Sequence, residues 1–381
     1  MDVCDFNLRH LLAVVKIAEL GTMNAAADAV NLSQPAITQA LARIESLLGA
    51  KLFDRLHTGM VQTEEARLFV PRVRAALDHV AGHNVTMSRV RALLALADAG
   101  SYSGASQATG LAPPSLHRAV NDLSLSLRRC LIERRGRTVV LTAAGVQVAR
   151  GFRLARRELE NAVLELRALQ GCETRRIVIG AMPLARSWVL PTAITRFLRR
   201  NPQVRISIIE GARFELIESL RNGTIDLMIG ALREPLLESD IVQQPLFQDL
   251  PIVVARKGHP LEGCTPTLEE LARYPWIVSP PGTPLRTSWE LMFQRTGLAL
   301  PATPIESGSV MAMRQLLVDS DFLTLLSRHQ VAVELEANWL VTLCAAPSDL
   351  QRTIGISTRD SWIPTAVQTE FVGDLHAAAG H

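Results

Sequence analysis

The sequence predicts a multidomain protein that is α+β in its N-terminal half and α/β in its C-terminal half. An internal repeat supports the first part of this prediction, because a segment near the N-terminus recurs 79 residues further along the chain. Apolar strand-like runs that alternate with helical stretches from residue 176 onwards support the second part, since this alternation is typical of a parallel sheet covered by helices. At 381 residues the chain is also too long for one ordinary domain.

The repeat keeps one register, without a gap, from about residue 8 to residue 66. The stretch LSQPAITQALARIE (32–45) recurs as LAPPSLHRAVNDLS (111–124), and many of the differences are conservative. Chance would not preserve one register over this length. We therefore interpret the segment as a duplicated structural unit, with a copy one and a copy two.

The sequence of each copy predicts two helices at its start and a hairpin at its end. In copy one, Leu8–Leu20 has apolar residues at helical spacing and is ended by Gly21. Asn24–Val30 is short and rich in alanine, which allows two backbones to approach closely. The stretch AKLFDRLHTGMVQTE (50–64) has the pattern strand, turn, strand.

A third helix lies between these parts. Ser33 is placed to cap it and Pro35 lies in its first turn. The apolar residues of this helix recur at spacings of 4, 3 and 4, at Ile37, Leu41, Ile44 and Leu48. Three helices and a hairpin predict a winged helix-turn-helix, whose third helix enters the major groove of DNA.

These segments resemble those of the LysR-type transcriptional regulators. The matching stretches are AAADAVNLSQPAITQALARIESLLGAKLFDR and QTEEA in copy one, ASQATGLAPPSLHRAVNDL and LIERRGRTVVLTAAG in copy two, and the whole C-terminal half. The resemblance implies a regulator, not an enzyme, without a cofactor. Its implied partners are double-stranded promoter DNA, a small-molecule effector, itself as a homodimer or homotetramer, and RNA polymerase. The duplication departs from the family, whose members usually carry one such unit.

The two copies differ in the residues that would contact DNA. In copy one, the residues that begin the third helix, Ser33 and Gln34, are polar, and the helix presents Thr38 and Gln39, which suit base edges and the thymine methyl group. Copy two starts its third helix with Ala112-Pro113-Pro114, but its wing is strongly basic. The expected DNA-binding residues are Ser33, Gln34, Pro35, Thr38, Gln39, Arg43 and Arg55 in copy one, and His117, Arg118, Arg134, Arg135 and Arg137 in copy two.

The charge distribution supports contact with a polyanion. The whole chain has a net charge of +3, whereas residues 87–157 hold twelve arginines and three acidic residues. The planar guanidinium matches phosphate oxygens well. We therefore hypothesise that copy one selects sequence while copy two contacts phosphates. The alternative is that copy two is only a structural mount for the helix that follows it, and that the arginines form a solvated helix face.

The expected domains follow from these elements. They are winged units at 1–64 and 87–143, a connecting helix at 65–86, a dimerisation helix at 144–170, and an effector domain at 176–381. The effector domain divides into subdomain I (176–232 and 329–381) and subdomain II (236–327), with chain crossings near Leu232–Pro235 and Ser327–Gln330. The helix at 144–170 has an apolar stripe, and in the family the helix after the wing pairs with its mate in a dimer.

The C-terminal half resembles the family's effector-binding domain, which is itself like periplasmic solute-binding proteins. Ligands of open α/β sheets lie beyond the carboxyl ends of the strands, which here selects the loops Met182–Ser187, Ser279–Arg286 and Ser307–Val310. Arg186 and Arg286 would hold a small anionic or polyhydroxylated ligand, with surface salt bridges as the alternative. The expected contact residues are Pro183, Leu184, Arg186, Ser187, Thr283, Pro284, Arg286, Ser307 and Ser309.

Other functional classes are disfavoured by the motifs that the sequence lacks. There is no G-x-S-x-G, no P-loop and no G-x-G-x-x-G, which argues against an enzyme with the same two-subdomain cleft. The five cysteines form no C-x-x-C pair, and we expect them to be small buried residues, with a lone redox-sensing cysteine as the alternative. MDVCDFNLRH has no features of a secretory signal and no apolar run suits a membrane span, so we expect a cytoplasmic protein. A constitutive DNA-binding protein without effector sensing stays as the alternative function.

Overall fold

A computed structural model describes residues 3–57, 59–80, 82, 85–135, 138–171 and 176–380, and only the backbone of Cys4. Arg137, an expected DNA-binding residue of the copy two wing, lies outside these residues. The chain forms two compact units, Met1–Arg175 (unit 1) and Arg176–His381 (unit 2). Within the described ranges, every helix is too short or too polar to cross a membrane.

Unit 1 contains the same six elements twice, after a short 3-10 turn at Val3–Asp5. Copy one consists of α1 (Leu8–Leu20), α2 (Met23–Ala29), α3 (Gln34–Leu48), β1 (Phe53–Leu56), β2 (Gly59–Gln62) and α4 (Glu64–Asp78). Copy two consists of α5 (Met87–Ala99), α6 (Tyr102–Thr109), α7 (Pro113–Leu127), β3 (Ile132–Arg135), β4 (Thr138–Leu141) and α8 (Ala143–Leu169). The strand pairs β1–β2 and β3–β4 are antiparallel hairpins. Two tandem winged helix-turn-helix units are thus confirmed.

Equivalent positions of the two copies make equivalent contacts. Arg74 of α4 forms an ion pair with Glu19 of α1. The residues 79 positions later, Arg153 of α8 and Asp98 of α5, form the same pair. The repeat therefore extends beyond the winged unit and into the helix that follows each wing.

The third helices differ at both ends, as their sequences indicate. Ser33 caps α3, because its hydroxyl accepts a hydrogen bond from the amide of Ala36 at 3.4 Å. Ala112 at the start of α7 offers no such side chain. Both helices end in the left-handed region, α3 at Gly49 (φ 65°) and α7 at Arg128 (φ 51°). Copy two therefore carries a strained non-glycine residue where copy one has a glycine.

The two copies share one hydrophobic core, and α4 packs against α8 within it. The apolar stripe of the helix at 144–170, which we expected to pair with a second chain, is covered here by its own chain. That expectation treated each linker helix alone, whereas the duplication supplies a partner helix in the same polypeptide. The buried apolar residues of α8 are Val148, Ala149, Phe152, Ala155, Leu159, Ala162, Val163 and Leu166.

Unit 2 contains two five-stranded mixed sheets. The first has the order β6-β5-β7-β14-β8 and the second β11-β10-β12-β9-β13. The strands are β5 (Arg176–Ala181), β6 (Arg205–Glu210), β7 (Leu227–Ala231), β8 (Ile241–Asp249), β9 (Ile252–Arg256), β10 (Trp276–Val278), β11 (Ile305–Glu306), β12 (Leu323–Leu326), β13 (Leu340–Ala345) and β14 (Arg352–Arg359). The helices are α9 (Val189–Arg200), α10 (Arg213–Arg221), α11 (Leu268–Leu271), α12 (Pro284–Gln294), α13 (Val310–Val318), α14 (Ala332–Glu336) and α15 (Ala366–Ala379).

The chain crosses between the two sheets at other places than expected. β8 pairs with β14 in the first sheet, so the first crossing lies between residues 249 and 252, not near Leu232–Pro235. β13 pairs with β9 in the second sheet, so the return crossing lies between 345 and 352, not near Ser327–Gln330. Subdomain I therefore consists of residues 176–249 and 352–380, and subdomain II of residues 252–345.

The sequence gives little sign of β8, which explains the first error. Its residues IVQQPLFQD include a proline and three glutamines, and they lack apolar alternation. β8 is an edge strand, and its register shifts between Pro245 and Phe247. An edge position with such an irregularity tolerates a proline, because the lost amide need not join the ladder.

Two of the cysteines also differ from expectation. Cys130 and Cys264 are exposed, and Cys344 is half-buried. Burial raises the pKa of the Cys344 thiol above its usual range. The interpretation of the cysteines as buried residues is therefore wrong for Cys130 and Cys264.

Candidate functional site

The outer face of α3 presents the side chains that we expected to contact DNA. The inner face of α3 is buried at Ile37, Ala40, Leu41 and Ile44, which anchors the helix in the core of unit 1. The expected residues of copy one are all exposed: Ser33, Gln34, Pro35, Thr38, Gln39 and Arg43 on or beside α3, and Arg55 on β1. One rigid helix thus carries most of the predicted base-contacting groups of copy one.

Thr38 has its hydroxyl already oriented. Its Oγ1 donates a hydrogen bond to the carbonyl oxygen of Gln34 at 3.0 Å. The hydroxyl proton is therefore used, while its lone pairs and the γ-methyl stay available to a DNA base. Gln39 is exposed beside it and offers both a donor and an acceptor.

Copy two presents different chemistry at the same positions. His117 and Arg118 are exposed on α7, as Thr38 and Gln39 are on α3. The His117 ring lies 5.5 Å from the ring of Tyr102, and its Nδ1 lies 3.2 Å from the side-chain nitrogen of Asn121. These neighbours hold the imidazole, so Arg118 is the freer group on this face.

The wing of copy two offers less free charge than its sequence indicates. Arg135 is paired with Glu133 on the same strand, at 2.8 Å between Nη2 and Oε1. Arg134 is exposed and has no ion pair with a described residue. Arg137 lies outside the described residues. Arg134 is thus more available than Arg135 for contact with DNA phosphates.

Ion pairs also reduce the basic character of the segment 87–157. Its three acidic residues are all paired with arginines of the same segment, in the pairs Arg89–Asp122, Arg135–Glu133 and Arg153–Asp98. Four exposed arginines of copy two make no ion pair within the described part of the chain: Arg118, Arg128, Arg129 and Arg134. All four lie on α7, at its end, or on β3. Sequence reasoning missed Arg128 and Arg129, although the arginine pair that ends α7 was a visible signal.

The main cavity of unit 2 has a volume of about 980 Å³ and lies between its two subdomains. It lies at the carboxyl ends of the parallel strands β5, β6, β7, β10 and β12, where open α/β sheets bind ligands. Five of the expected contact residues line it: Pro183, Leu184, Arg186, Thr283 and Pro284. The third expected loop contributes Gly308 and Val310 instead of its serines.

Arg286 does not line this cavity. Its Nε bonds to Glu290 Oε1 at 2.6 Å and its Nη1 to Glu306 Oε1 at 2.8 Å, while its guanidinium lies 5.4 Å from the Trp289 ring centre. These two hydrogen bonds raise the pKa of Arg286, with burial opposing them. Because two carboxylates already pair with Arg286 and it does not line the cavity, the structure does not support the expected ligand contact.

Three serines are likewise engaged in local structure. Ser187 Oγ donates to the carbonyl of Leu184 at 2.8 Å. Ser307 Oγ accepts from the amide of Ser309 at 3.1 Å, and Ser309 caps α13. These hydroxyls fix loops and helix ends, and none of the three lines the cavity.

The charged groups that line the cavity are nearly all paired. The pairs are Arg186–Glu210, Arg213–Glu238, Arg221–Glu218 and Arg352–Asp249, the last at 2.7 Å with Asp249 buried. Arg233 is the exception: it follows β7 and makes no ion pair with any described residue. Its Nη2 donates to the carbonyl of Gly282 at 3.3 Å. Burial, and then the neighbouring Arg213, lowers the pKa of Arg233 below its usual value.

Arg213 adds a second unsatisfied group to this place. Its Nη2 bonds to Glu238 at 2.8 Å, but its Nη1 is buried without a hydrogen-bond partner among the described residues. A buried donor of this kind costs free energy until an acceptor arrives. The rest of the wall is largely apolar, with Leu285, Met313 and Leu326, and Phe214 lies at the rim with 75% of its surface exposed.

Exposed recognition helices in one unit and a cavity at the strand ends of an α/β unit define a class: DNA-binding transcriptional regulators with a ligand-binding domain. The chain belongs to the LysR family of these regulators. The family described as "Bacterial regulatory helix-turn-helix protein, lysR family" matches residues 8–67 and again 87–146. The family described as "LysR substrate binding domain" matches residues 170–378. The protein is thus a transcriptional regulator and not an enzyme.

Three similar proteins illustrate this membership. The HTH-type transcriptional regulator GalR of Pseudomonas putida is 31% identical over 376 residues, which cover 95% of each chain. Full-length OxyR from Pseudomonas aeruginosa has a similar fold, with a TM-score of 0.56 and 22% identity, covering 78% of this chain and 95% of its own. CbnR, a LysR family transcriptional regulator, has a TM-score of 0.53 and 18% identity, covering 77% of this chain and 98% of its own. The uncovered fifth of this chain is about the size of one winged unit.

Proposed function

We propose that the protein regulates transcription in response to a small effector that carries one negative charge on an apolar body. The LysR membership supports regulation by DNA binding and effector binding in general. The finer statement rests on one observation: among the arginines that line the cavity, Arg233 alone forms no ion pair with a carboxylate of the described residues. Arg233 is half-buried and its burial disfavours the charged form, so a bound anion would offset that cost.

A carboxylate suits this place better than a polyhydroxylated ligand. Two guanidiniums, those of Arg233 and Arg213, would face one carboxylate, and Arg213 Nη1 needs an acceptor. A second negative charge would meet Glu210 and Glu238, which already line the cavity in ion pairs. The apolar wall favours a hydrocarbon body, so we commit to a small monocarboxylate. A cavity of about 980 Å³ also argues against the alternative of a regulator without effector sensing.

The test uses the full chain and matched pairs of probes. We expect benzoate or hexanoate to raise the midpoint of thermal unfolding, while benzamide and hexanamide, which have the same shape without the charge, have no effect. Arg233→Gln should abolish the response. Arg273→Gln removes an exposed arginine of unit 2 outside the cavity and should keep it. A response that survives in Arg233→Gln, or equal responses to acid and amide, would contradict the proposal.

For DNA, we propose that copy one selects bases and copy two supplies phosphate contacts. Exposed Thr38 and Gln39 support the first role. The exposed Arg118, Arg128 and Arg134, which form no ion pair with a described residue, support the second role. In the alternative, in which copy two only supports the helix that follows it, these exposed arginines would have no role. Such a protein would act in the cytoplasm, as a homodimer or homotetramer, and RNA polymerase stays a predicted partner.

Salt dependence of DNA binding separates these roles. Arg134→Ala should weaken binding to all sequences and reduce the slope of log affinity against log salt by about one. Arg135→Ala should change the slope less, because Glu133 already neutralises Arg135. Gln39→Ala should keep the slope and relax base preference. Wild-type affinity and slope in Arg134→Ala would refute the phosphate role of the copy two wing.

A further inference from the structure

We propose that unit 1 is an intramolecular pseudo-dimer, so that one chain binds a DNA site with two half-sites of dyad geometry and unlike sequence. The inference rests on the proposed DNA-binding roles and goes beyond them, because it assigns the two half-sites to the two copies of one polypeptide. It starts from the contacts between α4 and α8.

The contacts between these helices are reciprocal. Arg72 of α4 bonds to Glu158 of α8, at 2.9 Å between Nη1 and Oε2. Gly151 of α8 lies against the backbone carbonyl of His79 at the end of α4, so closely that any added Cβ would overlap that oxygen. Gly151 is the repeat equivalent of Arg72, and Glu158 is the repeat equivalent of His79. Each copy therefore uses the position of Arg72 to contact the position of His79 in the other copy, as the pairs Arg72–Glu158 and Gly151–His79 show. Such reciprocal contacts are expected at a two-fold interface.

The same contacts set the direction and centre of the helix pair. As α4 runs from Arg72 to His79, its neighbours on α8 run backwards from Glu158 to Gly151. The helices are thus antiparallel, as a two-fold axis perpendicular to them requires. This register places Ala76 opposite the region of its own equivalent, Ala155, and both alanines are buried. Small residues at the centre allow the two helices to approach closely.

This interface is closed within one chain. Arg72 also binds Glu165 through two hydrogen bonds, from Nη2 at 2.9 Å and Nε at 3.0 Å. The Arg72 and Glu158 side chains are each only 4% exposed. The surface that could pair linker helices between two chains is already occupied. A second chain is therefore not needed to bring two winged units together.

A two-fold rotation preserves direction along its axis, so recognition helices related by it face the same side. Two-fold pairs of this motif bind half-sites about one DNA turn apart, and identical subunits give a palindrome. Here the paired units are not identical: Thr38 and Gln39 of copy one correspond to His117 and Arg118 of copy two. The half-sites should therefore share dyad geometry without sharing sequence, and the protein should bind with one fixed polarity.

Selection of binding sites from random double-stranded DNA by the full chain tests this inference. We expect a motif of two unlike half-sites. Gln39→Ala should lose base-specific protection at one half-site, and Arg118→Ala should lose protection of the phosphate backbone at the other. Two identical half-sites about one DNA turn apart would overturn the pseudo-dimer, and so would loss of protection at both of them in Gln39→Ala with no loss in Arg118→Ala. Pairing of whole chains would only repeat the unlike pair of half-sites in inverted orientation.

A second measurement does not depend on DNA and separates this inference from the proposed function. Cys130 and Cys264 are exposed and could form disulfides between chains, so the variants are made in the full chain with its five native cysteines replaced by serine. In that background, the double variant Ala76→Cys/Ala155→Cys should form, on oxidation, a disulfide within one chain that migrates as a monomer under denaturing conditions. The single variants should form no corresponding bond. A disulfide-linked dimer from either single variant would overturn the inference even if DNA binding is normal. Failure to bind any DNA, with the internal bond formed, would instead refute the DNA-binding roles and the half-site assignment with them.

Discussion

Replacing Arg72 with methionine tests how much the α4–α8 interface stabilises unit 1. Methionine keeps the unbranched bulk of the side chain but removes the guanidinium from Glu158 and Glu165. Glu158 is 4% exposed and Glu165 is 20% exposed, so the Glu158 carboxylate would stay buried without that cation. Burial alone would lower the pKa of Arg72, but its bonds to Glu165 and Glu158 raise it, so the Arg72 guanidinium is charged in the native protein.

The expected magnitude follows from the burial of this pair. Removing one partner of a buried ion pair costs about 3–5 kcal/mol, because the remaining charge is desolvated without compensation. For a unit of this size, each kcal/mol lowers Tm by about 2–4 °C, so we expect a decrease of roughly 6–20 °C. The loss should shrink at low pH, where Glu158 in the variant can take up a proton and become neutral.

Calorimetry of the full chain measures the decrease. Hydrogen–deuterium exchange in peptides of α4 and α8 assigns it to unit 1, where protection should fall. Arg74→Met is the matched control, because Arg74 lies on the same helix with 53% exposure and pairs with Glu19. Breaking that exposed pair should cost less than about 1 kcal/mol. An Arg72→Met protein no less stable than Arg74→Met would refute the reasoning about this interface.

Three further predictions concern local features. Gly151→Ala should destabilise unit 1 because its Cβ would overlap a backbone carbonyl at the end of α4, whereas Gly373→Ala, with open space, should stabilise α15 by up to about 1 kcal/mol in urea unfolding. Ser33→Ala should cost about 1 kcal/mol through loss of the α3 cap, and Ala112→Ser should gain part of that at α7; unchanged midpoints in both would contradict the capping argument. Burial lowers the pKa of His329 below 6.5, so as the pH falls the unfolded chain takes up this proton before the folded one, and unit 2 should lose stability below about pH 6.5. The loss should be smaller in His329→Phe. A His329→Phe variant with the wild-type dependence of stability on pH would exclude His329 as the cause.

Much of unit 1 could be predicted because its signals are local. Caps, glycine ends and apolar periodicity act within a few residues, so Ser33, Gly49 and the face of Ile37 and Ile44 were correctly placed from sequence. The strands and helices around the cavity were predicted for the same reason. β8 was missed because an edge strand needs no apolar alternation, and its proline is tolerated only where the sheet is irregular.

The cavity residues were harder to predict because charge pairing is a tertiary property. Arg186, Arg286 and Arg233 look alike as isolated arginines in loops or at helix starts. Ion pairs with residues up to 24 positions away neutralise Arg186 and Arg286, while Arg233 forms no ion pair with a described residue. No local pattern distinguishes these cases.

The sequence by itself determined that this protein carries two winged helix-turn-helix units and an α/β ligand-binding domain, because repeats and periodicity are recorded residue by residue. Only the tertiary structure decided what the helix after the second wing pairs with. Its apolar stripe would fit another chain or its own, and the sequence does not distinguish them. The reciprocal contacts of Arg72 with Glu158 and of Gly151 with His79 settle the matter, since duplication placed a complementary helix in the same polypeptide.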